Sequence, residues 1–235
     1  METDTMLNKL MLTALAGLLV TFGGLNTVVA GPAFGGGCGG KGMCVGDLAP
    51  LSPEEVAGLK YMREEEKLAR DIYRTMADEW GLIVFTNIAR SEDKHMLAVK
   101  HLLDKYELED PVTDDSTAIT GEDFTNDKLG DLFDEFKLRG LSSMMEALRV
   151  GGEIEEIDLQ DLLFEIDQSD HDDITKTYEH LLCGAFIHLR AFVRQIEING
   201  ETYEPLYLTL EELSEIVDSP IARKCGSKQK KHHKK

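Results

Sequence analysis

The sequence predicts an all-α protein: an antiparallel four-helix bundle with a long crossover, carrying a short extra helix, between helices 2 and 3. Four long stretches repeat apolar residues in alternating steps of three and four, the period of one helix face. A polar, turn-rich stretch at 111–123 follows the second of them, and so long a connection lets the second and third helices run parallel. At 235 residues, we expect one domain, at 51–200.

The segments before and after this domain have compositions of their own. Residues 1–30 combine an early lysine, a short apolar run and small residues, which is typical of a signal peptide. We therefore expect export to the periplasm or outside the cell, with an uncleaved anchor as the alternative. Residues 31–50 read as a glycine-rich linker, 201–222 as a segment packed on the bundle, and 223–235 as a basic disordered tail.

Charge limits the partners of the chain. The formal net charge of −19 at pH 7 argues against nucleic acids and anionic membrane surfaces, because both would repel the protein. No stable membrane span is expected after signal cleavage, since the N-terminal apolar run is too short to cross a bilayer comfortably.

Four cysteines allow three pairings, and an oxidising compartment favours disulfides. Cys38 and Cys44 lie six residues apart in the glycine-rich linker, and we expect this pair to form. Cys183 lies in the predicted fourth helix and Cys225 in the tail.

The first helix is expected to run from Pro53 to Trp80. Ser52 before it and Glu55 in its first turn form a capping-box pattern, and Gly81 follows its last residue. Its inward positions are apolar or aromatic, namely Leu59, Met62, Ala69, Tyr73, Met76 and Trp80, with Glu66 as the exception. A solvated acidic run at 64–66 is the alternative, but the register favours a buried Glu66.

The second helix, expected at 85–106, carries Glu92 and His95. Side chains three residues apart project from one helix face and can bind one metal ion together. Both occupy positions where the pattern otherwise places core residues, namely Phe85, Ile88, Val99, Leu102 and Tyr106. A buried carboxylate without a partner is costly, and a bound cation is a usual remedy. The alternative is a Glu-x-x-His pair that recurs by chance on a solvated face.

The third helix is expected to start at Ser142, after a short amphipathic helix at 127–139, and it contains Glu153, Glu155 and Glu156. The strongest apolar stripe points nearer to Glu155 and Glu156, but a bulge at the two preceding glycines would rotate the face. Spacing therefore leaves the choice open. Apolar residues on the opposite side indicate that the crossover, or a second copy in a homodimer, covers this helix.

The fourth helix is expected to run from an acidic cap at 170–173 to Glu197. Its inward residues are Ile174, Tyr178, Leu181, Ala185 and Phe192, with His188 as the polar exception. A lone histidine on an apolar face is more often a core residue than a ligand. Because the other long helices also carry ligand-type residues in the core register, we expect His188 to join a metal site.

These residues resemble the ferritin-like superfamily, in particular its rubrerythrin-like members, and the chain is similar to the DUF2202 family. The resemblance covers about 52–197. It rests on Glu66 followed seven residues later by Tyr73, on Glu92-x-x-His95, and on the run Gly-Glu-Ile-Glu-Glu at 152–156.

The resemblance implies a site for two iron ions, or manganese, in which Tyr73 hydrogen-bonds a ligand carboxylate. It implies Glu153 as a bridging ligand and Glu156 as an extra one, and the whole implied ligand set is Glu66, Glu92, His95, Glu153, Glu156 and His188. Carboxylate oxygens with two imidazoles suit iron or manganese better than thiophilic metals. Ala185 stands where the family pattern has a glutamate.

The implied activity is peroxide reduction or oxidation of ferrous iron, with peroxide or dioxygen as the partner molecule. The sequence has no Cys-x-x-Cys pair of a rubredoxin-type electron donor. One alternative is a protein that binds and sequesters metal without turnover. Another is a metal-free, purely structural bundle whose buried acids pair with Arg70, Arg149 or Arg190.

Overall fold

The structure is a computed structural model that describes residues 49–218, and this part of the chain is all-helical, with no strand. Its six α-helices are α1 (Pro53–Trp80), α2 (Ile83–Lys105), α3 (Asp127–Gly140), α4 (Met144–Gln168), α5 (Asp172–Ile198) and α6 (Leu210–Asp218), and a short 3-10 helix spans Gly121–Asp123. The all-α prediction is confirmed, and the long helices begin and end within about two residues of the expected positions. The predicted signal peptide, most of the linker and the basic tail lie outside the described residues, as does the expected Cys38–Cys44 pair.

The ends of the long helices show how sequence sets their boundaries. The Ser52 hydroxyl accepts the Glu55 amide at 3.0 Å, and the Glu55 carboxylate accepts the Ser52 amide at 2.9 Å, so the predicted capping box forms. Gly81 ends α1 with a φ of 66°, a left-handed conformation that suits glycine. Ser143, rather than the expected Ser142, caps α4 through the amide of Glu146.

Most side chains predicted to face inward on α1, α2 and α5 are buried. They are Leu59, Met62, Ala69, Tyr73 and Met76 on α1, Phe85, Ile88, Val99 and Leu102 on α2, and Ile174, Tyr178, Leu181, Ala185 and Phe192 on α5. Trp80 and Tyr106 are half-buried. The helical period therefore located one face of each of these helices correctly. No helix within residues 49–218 is long and apolar enough to cross a membrane.

Contacts between the long helices fix their relative directions. Along each contacting pair, residue numbers rise on one helix and fall on the other. The pairs are Arg74–Asp93 and Glu66–His95 between α1 and α2, Tyr61–Asp161 and Tyr73–Glu155 between α1 and α4, and Lys105–Asp173 and Glu92–His188 between α2 and α5. Because α1 is antiparallel to both α2 and α4, the latter two run parallel, as the long crossover between them permits.

The crossover buries a highly charged part of α1. Residues 62–73 are all buried, including the glutamates at 64–66, so these do not form a solvated acidic run. Glu64 accepts hydrogen bonds from the Thr125 amide at 2.5 Å and the Asn126 amide at 3.2 Å, immediately before α3. The carboxylate thus anchors the start of α3 to α1.

Asp71 anchors the crossover further along α1. It accepts Lys67 Nζ at 2.5 Å, Arg70 Nε at 2.7 Å and the backbone amide of Ala118 at 3.0 Å. Arg70 also contacts Asp115 of the crossover at 2.7 Å. Lys67, Arg70 and Asp71 are each at most 2% exposed, so these charges depend on one another for compensation.

We predict that Asp71→Asn lowers the free energy of unfolding by about 3 kcal/mol, because it leaves Lys67 and Arg70 buried without their shared counter-charge. Guanidinium unfolding of the purified protein measures this loss. The matched control is Asp104→Asn, which breaks an exposed pair with Lys100 and should cost about 0.5 kcal/mol or less. Equal losses in the two variants would contradict a structural role for the buried network.

Candidate metal centre

Three predicted ligands meet in the core between α2 and α5. Glu92 and His95 project from α2 and His188 from α5, and one ligand atom from each lies within 4.8 Å of the other two. The three residues are 2%, 4% and 5% exposed. Within the part of the chain that the structure describes, this is the one group of three such residues so closely placed that it could hold a metal ion.

Glu92 lies between the two imidazoles. Its Oε2 is 2.7 Å from Nδ1 of His95, and its Oε1 is 2.8 Å from Nδ1 of His188. The two rings stack with centroids 5.5 Å apart and an interplanar angle of 26°. One carboxylate therefore presents a separate oxygen to each histidine.

Two further carboxylates complete the arrangement, one beside each histidine. Glu66 from α1 places Oε2 3.3 Å from Nδ1 of His95, and Glu155 from α4 places Oε2 3.4 Å from Nδ1 of His188. Each half of the site thus contains one imidazole, one outer glutamate and one oxygen of Glu92. All four long helices contribute to it.

The short contacts are not aligned as hydrogen bonds. Nδ1 of His95, Nδ1 of His188 and Oε1 of Glu92 are buried and have no hydrogen-bond partner, and neither does Oε1 of Glu66. Buried polar atoms normally have a partner, so such a group requires an explanation. The nitrogen–oxygen separations near 3 Å also suit metal ligation. Two neighbouring ligand atoms that each lie about 2.1 Å from the same ion are about 3 Å from each other. The donor set therefore fits a bound cation.

The electrostatics of the centre are strongly coupled. Burial alone would raise the pKa of Glu92, but His188 and His95 hold it below its ordinary value. Burial would lower the pKa of His188, but Glu92 and Glu155 raise it to about 10. Burial raises the pKa of Glu66 to about 7, although His95 opposes this. At neutral pH, the buried Glu92 carboxylate therefore stays ionised because positive charge lies beside it.

Tyr73 positions the glutamate from α4. Its hydroxyl donates to Oε1 of Glu155 at 2.5 Å and lies 3.3 Å from the carbonyl oxygen of Gly151. This leaves Oε2 of Glu155 facing His188. The hydrogen bond to a carboxylate of the centre is the one expected for Tyr73, and it holds Glu155 in a single orientation.

A glycine on α5 makes room for His95. A Cβ atom at Gly184 would lie 2.5 Å from Cε1 and 2.6 Å from Nε2 of that ring, so a larger residue would displace the imidazole. Gly184 stands one turn before His188, and Ala185 beside it is buried. This part of α5 therefore leaves space for the His95 ring from α2.

The structure brings together Glu66, Glu92, His95 and His188, but it places Glu153 and Glu156 elsewhere. Glu153 pairs with Arg139 at 2.8 Å. Glu156 accepts the Tyr203 hydroxyl at 2.5 Å and backbone amides of 206–208 at 2.6 to 3.2 Å, which attaches the C-terminal segment to α4.

Glu155, rather than the expected Glu153 or Glu156, is therefore the α4 glutamate that lies near His188. The physical reason is that α4 is an uninterrupted α-helix from Met144 to Gln168. No bulge rotates its face, so the direction of the apolar stripe, which favoured Glu155 and Glu156 over Glu153, was the more reliable signal.

Residues 55–220 match the family described as an uncharacterized protein domain, DUF2202. The chain belongs to the DUF2202 family. It is 45% identical over 174 residues to the uncharacterized protein MJ0754 of Methanocaldococcus jannaschii, covering 74% of this chain and 92% of the relative. The crystal structure of hypothetical protein MJ0754 from Methanococcus jannaschii DSM 2661 superposes with a TM-score of 0.69 at 45% identity, covering 73% of this chain and 96% of that one. Neither description states a function.

We predict that Glu155→Gln weakens divalent-metal binding by about 100-fold or more, since losing even an outer partner of a metal ligand costs 10- to 100-fold. Equilibrium dialysis with Co²⁺ measures the change. Glu153→Gln is the matched control on the same helix, and it should bind Co²⁺ as the unaltered protein does. Loss of binding in Glu153→Gln with normal binding in Glu155→Gln would reverse the assignment.

We also predict that metal binding at pH 7 releases at least one proton per chain. Because Glu92 and Glu155 raise the pKa of His188 to about 10, its ring carries a proton at neutral pH that a metal must displace. Apparent affinity should therefore rise with pH between 6 and 8. Calorimetry in buffers of different ionisation enthalpy counts the protons, and His188→Gln should release about one fewer. Binding without proton release would contradict this account.

Proposed function

We propose that this DUF2202 protein is a ferritin-like four-helix-bundle protein with a two-metal carboxylate centre, in which iron is the first choice of metal and manganese the second. The observation that carries the proposal is the position of Glu92, which gives one oxygen to the half of the site with Glu66 and His95, and the other to the half with Glu155 and His188. A carboxylate shared in this way is what a pair of neighbouring cations requires.

The charge and chemistry of the ligands support the same metals. Three glutamates supply three negative charges for two divalent ions, and Asp158, one turn from Glu155, is buried at 7% exposure with Oδ1 lacking a partner. Carboxylate oxygen and imidazole nitrogen are hard or intermediate ligands, which suit iron and manganese. This set differs from the one implied by family resemblance because Glu92, not Glu153, is the shared ligand.

Burial of the ligands limits what can react there. Glu66, Glu92, His95, Glu155 and His188 are between 2% and 5% exposed, so the centre admits small molecules rather than large organic substrates. Bound iron or manganese would supply electrons for reducing peroxide or dioxygen, or would accept them from ferrous iron. The protein would keep bulk water out and, through Tyr73, hold Glu155 in place.

The second candidate is a protein that binds and sequesters metal without turnover. It is favoured by the absence of a Cys-x-x-Cys pair anywhere in the sequence, since the chain has no rubredoxin-type module to return electrons to the centre. We further propose that the protein acts outside the cytoplasm. The signal-like composition of residues 1–30 supports this, as does Cys183, which is disulfide-bonded.

The test is metal analysis followed by peroxide consumption. We predict two iron ions per chain in the protein loaded anaerobically with ferrous iron, and neither ion in Glu92→Gln, because Glu92 contacts both halves of the site. Glu153→Gln should retain both ions. The loaded protein should then consume hydrogen peroxide at least about tenfold faster than Glu92→Gln does.

The outcomes separate the two candidates. Reduction of one peroxide per chain by two ferrous ions, repeated each time an external reductant such as ascorbate returns the two electrons, supports the redox function. Two bound ions that do not react with peroxide favour sequestration. If Glu92→Gln binds as much iron as the unaltered protein, the metal centre itself is rejected.

A further inference from the structure

A second group of acidic residues lies beside the centre, between α1 and α4. Glu65 is 4% exposed and neither of its carboxylate oxygens has a hydrogen-bond partner. Asp158 is 7% exposed and its Oδ1 has none. Within residues 49–218, no lysine, arginine or histidine forms an ion pair with Glu65, Asp158 or Asp161. Buried acids with no basic partner are costly to ionise, and a bound cation is one remedy.

These acids continue in a line from the centre toward the start of α1. On α4, Glu155, Asp158, Asp161 and Glu165 recur at steps of three and four, so they share one face, and they span about 15 Å along the helix axis. Opposite them on α1, the Tyr61 hydroxyl donates to Asp161 at 2.9 Å. We call Glu65, Asp158, Asp161 and Glu165 the acid ladder.

The outer end of the acid ladder reaches partly exposed positions. Asp161 and Glu165 are half-buried, whereas Glu65 and Asp158 are buried. A Cβ atom at Gly58 would overlap the Glu165 carboxylate, so this glycine lets the side chain lie against α1. The hydroxyl of Tyr178, on α5, is also buried without a hydrogen bond, and burial together with the nearby Glu165 carboxylate raises its pKa. Polar atoms therefore connect a partly exposed carboxylate with the centre.

We propose that the acid ladder is a loading route, which binds a partly hydrated divalent cation and passes it to the two-metal centre. This inference rests on the proposed function, because a route needs a destination. The ladder residues are not so closely placed as Glu92, His95 and His188, the one group of the described chain whose ligand atoms lie within 4.8 Å of one another. A wider spacing between carboxyl groups suits a cation that keeps part of its water shell and is therefore bound only transiently.

The charge of the ladder also favours transit over tight binding. Four carboxyl groups gather along it with no basic side chain of the described residues paired to Glu65 or Asp158, so like charges repel one another there. A passing cation relieves this repulsion. Clefts lined by charge of one sign raise the association rate of an oppositely charged ligand by about 10- to 1000-fold.

The experiment measures the rate and the extent of Co²⁺ binding separately. Co²⁺ does not oxidise readily and gives visible absorption on binding, so stopped-flow absorbance follows loading and equilibrium dialysis gives the stoichiometry. We predict that Glu65→Gln and Asp161→Asn each slow loading by about tenfold while final stoichiometry at the centre stays unchanged. Both substitutions keep the side-chain shape, and thermal unfolding verifies that each variant folds.

Asp167→Asn is the matched control, since Asp167 lies on α4, is exposed, and has the same charge to lose. It should load at the rate of the unaltered protein, which would exclude a general effect of net charge. If Glu65→Gln and Asp161→Asn both load at that rate while Glu92→Gln loses Co²⁺ binding, the loading route is overturned and the metal centre stands. If the unaltered protein binds no Co²⁺, both proposals fall.

Discussion

The structure depends on keeping Glu92 ionised in a dry interior. Burial alone would neutralise a carboxylate at this depth, and the two imidazoles in contact with its two oxygens prevent this. The positive charge can be protons on the histidines or cations held in their place. The same nitrogen and oxygen atoms would carry the proton or contact the metal. The protein could therefore fold before binding metal, and metal binding would then replace protons with cations.

Most of the fold and part of the site follow from the sequence. The Ser52 capping box set the start of α1, and helical periodicity placed Glu66, Glu92, His95 and His188 in the core because each interrupts an otherwise apolar series. The sequence did not show which of the three α4 glutamates lies at the centre. Glu156 is buried through its hydrogen bonds to backbone amides at 206–208, which lie about fifty residues away in sequence and leave no local signal.

The charged segment of α1 shows a second limit of sequence reasoning. Periodicity predicts one buried stripe, but residues 62–73 are buried on every side because the crossover covers the outer face. The charged side chains of this segment, which would be solvated on an ordinary surface helix, therefore contact different parts of the interior. Glu64 and Asp71 hold the crossover, Glu66 faces His95, and Glu65 belongs to the acid ladder. Adjacent residues of one acidic run thus differ in role because the surfaces that they face differ.

We propose that Glu92 joins two metal ions, one held with Glu66 and His95 and the other with Glu155 and His188. A crystal structure of the iron-loaded protein, with anomalous scattering data collected at the iron edge, tests it most directly. We expect two anomalous peaks on opposite sides of Glu92, about 3.5 to 4 Å apart. A single peak, or peaks beside Glu153 and Glu156 instead, would contradict it.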